Sequence, residues 1–144
     1  SEITSLLDLR FDFFETNWLA KYYPYQKETA HSARVKVFDS KDNYFQVIYS
    51  QDFLITGSNQ INLSSKTRNL SFGTGIITKY ADFVGETTFN VINDSLQSYR
   101  YGVRLKPPGD CWAITFTQEK QTDAQIEYDF NILFSFDGKF QPNI

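Results

Sequence analysis

Gln125-Ile126-Glu127-Tyr128-Asp129-Phe130-Asn131-Ile132-Leu133-Phe134-Ser135-Phe136 decides the fold. Ile126, Tyr128, Phe130, Ile132, Phe134 and Phe136 fall at every second position, with mostly polar residues between them. A period of two sends successive side chains to opposite faces of an extended chain, so this stretch predicts a β-strand with one apolar and one polar face. Asp137-Gly138 follows, a pair that tolerates the positive φ of a tight hairpin, and Lys139-Phe140 begins a return strand.

Shorter versions of the signal run back through the chain. Val35–Phe38 and Tyr44–Tyr49 predict a hairpin around the turn cluster Asp39-Ser40-Lys41-Asp42-Asn43. Leu9, Phe11 and Phe13 alternate with Arg10 and Asp12, and Phe53–Thr56, Ile61–Leu63, Ile76–Tyr80, Thr87–Ile92 and Cys111–Thr117 are further strand candidates. Turn signals about every ten residues are the spacing of sandwiches and barrels.

Two segments read as helix. Asp94 with Gln97 three residues on resembles a capping box, Leu96, Tyr99 and Val103 recur at helical spacing, and Pro107-Pro108 ends the segment, giving a helix over 95–105. Phe14, Trp18, Leu19 and Tyr22 suggest a second, stopped by Pro24. Ser64–Glu86, with Gly73, Gly75 and Gly85, reads as a long loop.

The 144 residues, 41% hydrophobic and 22% charged, fit a single β-rich domain over 1–144 with a full core. The net charge of -3 and the lack of a long basic cluster argue against sequence-specific nucleic-acid binding. No apolar run approaches the ~20 residues of a membrane-spanning helix, so no membrane partner is expected. There is no signal-peptide pattern, and a start at Ser1 is compatible with removal of an initiator Met. The sequons at Asn62, Asn69 and Asn93 read as chance matches. One cysteine, Cys111, forbids an internal disulfide.

Catalytic chemistry finds little support. His31 is the only histidine available to a Ser-His or Cys-His pair, and it sits among small polar residues that suggest a loop. A structural zinc site needs about four Cys or His ligands and the chain has one of each. Asp39, Asp42 and Asn43 lack the glycine and distal glutamate of a calcium loop, so no metal or cofactor is expected. Gly73-Thr74-Gly75 lacks the ending of a phosphate loop, and Glu127 and Asp129 share one strand, unlike the paired carboxylates of a glycosidase cleft. No enzyme is expected. Trp18, Tyr22, Tyr23 and Tyr25 form the densest aromatic cluster, suited to core packing or to stacking on a sugar or partner.

Several stretches together resemble tail tube and baseplate tube-initiator proteins of contractile-tailed phages. These are the strand Tyr44–Tyr49, the glycine-containing loop Ser64–Glu86, Thr87-Thr88-Phe89-Asn90-Val91-Ile92-Asn93-Asp94 before the expected helix, and Phe140-Gln141-Pro142-Asn143-Ile144. They cover about two thirds of the chain. The family's further strand after the late proline is lacking, and the first forty residues have no counterpart. The resemblance implies two packed antiparallel sheets, a sandwich or barrel, with one or two short flanking helices. It implies hexameric rings of this chain, assembled in the host cytoplasm into a virion with neighbouring virion proteins. Rings would stack through a loop bearing Lys66, Arg68, Phe72 and Ile76, and Glu127 and Asp129 would face the lumen. The alternative is a β-sandwich decoration or binding module that recognises carbohydrate or protein through exposed aromatics.

Overall fold

The computed structural model describes residues 2–53, 66–107, 112–122 and 124–134. Nine strands follow one another: β1 (Ile3–Arg10), β2 (Phe14–Tyr23), β3 (Glu28–Phe38), β4 (Tyr44–Asp52), β5 (Thr67–Ile77), β6 (Ala81–Asn90), β7 (Ser95–Leu105), β8 (Trp112–Gln121) and β9 (Glu127–Phe134). Each pairs antiparallel with its sequence neighbour, making one open sheet ordered β1 to β9. The mainly β expectation stands. Among the described residues there is one sheet and no helix, instead of two packed sheets with flanking helices.

The expected helix over 95–105 is β7. A spacing of four residues is even, so Tyr99 and Val103 share a face in a strand as they would on a helix. The three-residue step from Leu96 to Tyr99 would change faces in a regular strand. An extra residue, a bulge beside the step from Thr88 to Phe89, restores Leu96 to the same face. Asn90 and Asp94 serve a turn: the Asn90 carboxamide oxygen accepts from the N–H groups of Ile92 and Asn93 at 2.9 and 3.2 Å, and Asp94 takes a φ of 48°. The second expected helix is β2, where Phe14, Trp18 and Tyr22 are again four apart. The long loop Ser64–Glu86 contains β5 and most of β6, joined by a turn in which the Thr78 N–H donates to the Ala81 carbonyl at 3.0 Å.

The hairpin over 35–49 forms as expected, as the junction of β3 and β4. Asp39 organises its turn. One carboxylate oxygen accepts from the N–H groups of Lys41 and Asn43, and the other from the Asn43 side chain at 2.8 Å. The Asn43 amide, followed by the Lys41 N–H, holds the Asp39 carboxyl below its ordinary value. A lowered folded-state pKa means this support is complete above the ordinary carboxylate range and lost as pH falls through the lowered value. NMR titration should find an Asp39 midpoint below the ordinary value of an aspartate. Asp39→Ala should remove the acid-side change in the turn amides.

The alternation of β9 is present over its described length; Ser135, Phe136, the Asp137-Gly138 turn and the return strand lie outside the described residues, as do Leu54–Thr56, Ile61–Leu63 and Cys111. No large side chain is fully buried among the described residues, and the buried apolar set is Ala20, Ala30, Phe53 and Ala113. A sheet with so small an interior must satisfy its apolar groups elsewhere.

Candidate functional site

The functional feature is a surface, assembled by register. Facing partners in an antiparallel pair point to the same side, so the registers sort every strand residue onto one of two faces. Leu7, Trp18, Ala33, Tyr49, Leu70 and Phe89 form one continuous row, and Val103, Phe116 and Phe130 belong to another on the same side. Of the twenty-two exposed large apolar residues within strands, twenty lie on this apolar face; Leu6 and Leu133 are the exceptions. Phe134 is 70% exposed, Tyr128 65% and Phe130 61%.

The opposite face is polar. All nine aspartates and glutamates of the strands lie there, including Asp82, Glu86, Glu119, Glu127 and Asp129. Arg34 bridges to Glu15 at 2.6 Å and to Asn17, and Arg100 stands between Glu86 and Glu119, 3.9 Å from the latter. Lys106 closes on the buried Asp82 carboxylate at 2.5 Å, with buried Arg104 opposite Asp82 in register. Asp82→Ala should therefore destabilise the fold by about 3 kcal/mol, because it leaves the Lys106 ammonium without its carboxylate; denaturant unfolding checks this. A hollow of about 370 Å³ on this side is lined by Asn69, Thr88, Gln97, Ser98, Gln121 and Thr122. The side-chain amide oxygens of Asn69 and Gln97 there have no protein partner among the described residues, which suits a water-wetted face.

The apolar face has internal order. Tyr22, Tyr49, Phe89, Tyr99 and Tyr128 form a line on it. From Tyr22 on β2 to Tyr128 on β9 the line slips about eight residues along the strands while crossing seven strand spacings. With ~3.3 Å per residue and ~4.8 Å between strands, it slants about 40° from the perpendicular to the strands. Phe14, Phe45, Trp112 and Phe134 bound the band towards the other end with the same sense of slant. Beyond the tyrosine line the apolar face turns polar, at Gln51, Arg68 and Lys120.

The candidate residues are distributed by this sorting. Glu127 and Asp129 are both exposed on the polar face, Asp129 accepting from Asn131 at 2.7 Å. Arg68, Phe72 and Ile76 are apolar-face residues of β5, not members of a loop, while Lys66 precedes β5 and pairs with Glu28 at 3.1 Å. The aromatic cluster divides. Trp18 and Tyr22 are on the apolar face, Tyr23 on the polar face with its ring 5.4 Å from that of Phe53, and Tyr25 in the β2–β3 turn. Alternation separates neighbours in sequence, so such a cluster cannot present one stacking surface. His31 is a strand residue of β3 with its ring 5.4 Å from that of Tyr49. Gly73 and Gly75 lie in β5 under the side chains of Gln46 and Tyr44. No group of three or more His, Cys, Asp or Glu arranged for a metal occurs among the described residues. They contain no helix long and apolar enough to cross a membrane, which says nothing of strands. A scan against protein-family models and a search among curated proteins return no match.

Proposed function

We propose that this sheet is part of the wall of a membrane-embedded β-barrel, with its apolar face against lipid and its polar face towards an aqueous interior. The observation that carries the proposal is the division of the faces. Left in water, twenty exposed apolar side chains would forfeit about 1 kcal/mol each even at half burial. That total of about 20 kcal/mol exceeds the ~5–15 kcal/mol by which a domain is stable. A bilayer covers such a face without a second protein layer.

The dimensions support it. Strands of 8–11 residues match the ~9–11 that cross a bilayer when tilted. The ~40° slant of the tyrosine line falls within the ~35–45° tilt of membrane barrel strands, and aromatic residues line both margins of their apolar band. Sequential antiparallel pairing is the topology of such walls. With nine strands β1 and β9 run in the same direction, so an all-antiparallel closed wall takes further strands at these two edges. The protein should float with phosphatidylcholine vesicles after refolding into them and resist extraction at alkaline pH; recovery in the wash would count against the proposal.

A second reading has support from the same two edges. As a ring-forming tail tube, copies would join β9 to β1, with Glu127 and Asp129 lining the bore. Its outer, apolar face would then need a protein sheath. Detergent-free rings in negative stain would favour the tube; a requirement for detergent or lipid favours the membrane wall.

A further inference from the structure

We propose that Arg68, with His31 and Gln51 beside it, and Lys120 further along the same margin form a rim that binds the phosphate headgroups of anionic lipid in one leaflet; this rests on the membrane-wall reading. The starting point is a charge asymmetry confined to one face. Among the described strand residues the basic side chains of the apolar face are His31, Arg68 and Lys120, and the face carries no carboxylate. On the polar face acids and bases are mixed.

Position strengthens the argument. All three lie at the same margin of the apolar band, where the tyrosine line passes: His31 on it, beside Tyr49, and Arg68 and Lys120 just beyond. Tyrosines mark the level of the headgroups in a membrane barrel, so charges immediately outside them meet phosphate. The Arg68 Nε–H donates to the Gln51 side-chain oxygen at 2.9 Å, which orients the guanidinium. Neither Arg68 nor Lys120 has a carboxylate partner among the described residues, and both are exposed. A guanidinium with one edge fixed offers its remaining N–H groups to a phosphate in a forked geometry, and the ammonium adds a point charge.

The test uses the protein refolded into phosphatidylcholine vesicles, with insertion established beforehand by flotation. Spin-labelled phosphatidylglycerol and spin-labelled phosphatidylcholine report which lipid is held at the protein surface. The wild type should favour phosphatidylglycerol, by about fivefold per contributing cation at low salt. The double variant Arg68→Gln/Lys120→Gln should lose that preference, and Lys36→Gln, on the polar face, should keep it. An inserted wild type without selectivity, or a double variant that retains it, overturns the inference while leaving the membrane wall intact. Failure to insert at all removes the membrane wall and the rim together.

Discussion

Phe72→Arg is expected to lower the stability of the inserted protein by about 2–4 kcal/mol, the penalty for a cation near the middle of a lipid-facing strand surface. Phe72 stands on β5 between Leu70 and Ile76, well inside the apolar band. Ser50→Arg on neighbouring β4 adds the same charge to the polar face and should change stability by no more than about 0.5 kcal/mol. Reversible unfolding from vesicles measures both. The contrast is informative because water reverses it: on a sheet bathed in solvent, Phe72→Arg would be harmless and would improve solubility. Equal effects of the two variants would mean that the faces are not in different media.

The second large effect comes from a close approach on the polar face. A methyl group at Gly75 would overlap the Tyr44 ring, which cannot retreat freely because the Lys36 ammonium lies 4.4 Å from the centre of that ring. Burial, with the Glu86 charge second, pushes the Tyr44 phenol above its ordinary pKa, consistent with a ring packed into the sheet. Gly75→Ala should therefore cost about 1–3 kcal/mol through forced displacement. Gly73→Ala meets the flexible Gln46 side chain along its Cγ and amide, which can turn aside more easily than a ring, and should cost less than Gly75→Ala. Replacing Tyr44 by Ala in the Gly75→Ala background should recover part of the loss, and a double-mutant cycle in denaturant gives the coupling. Additive effects would show that the ring and the glycine do not share this space.

The same two faces explain what could be read from the residues alone. The period of two in 125–136 places Glu127 and Asp129 opposite Tyr128 and Phe130, and that division extends through all nine strands. The hairpin at Asp39–Asn43 was legible for a similar reason, since Asp39 makes local bonds that need no distant partner. A four-residue repeat fits both periods, so Phe14–Tyr22 and 95–105 read as helices from spacing alone. The three-residue step at Leu96 became compatible with a strand only through a bulge opposite Thr88 and Phe89, which sequence spacing does not announce. The run from Ser64 to Glu86 looked like a loop because its glycines suggest turning, whereas Gly73 and Gly75 make room for Gln46 and Tyr44 from the next strand.

The apolar surface itself was hidden by scale. A search for about twenty consecutive apolar residues finds helices, while a strand crosses in about half that length and presents lipid with only alternate residues. Arg68, Phe72 and Ile76 fall on one line four residues apart, yet Gly73, Thr74 and Gly75 between them dilute the signal. Only register across strands joins Leu70 to Tyr49 and Phe89, turning scattered aromatic residues into a band.

Trp18 and Trp112, the only tryptophans in the chain, both lie on the apolar face, Trp18 midway between Phe14 and Tyr22 and Trp112 at the margin opposite the tyrosine line. Fluorescence of the protein refolded into brominated phosphatidylcholine vesicles, compared with unbrominated ones, therefore reports directly on what that face touches. Strong quenching by bromines on the acyl chains, with little quenching by iodide added to the water, is the predicted result. Emission unchanged by bromination and fully accessible to iodide would place the face in water and contradict the membrane wall.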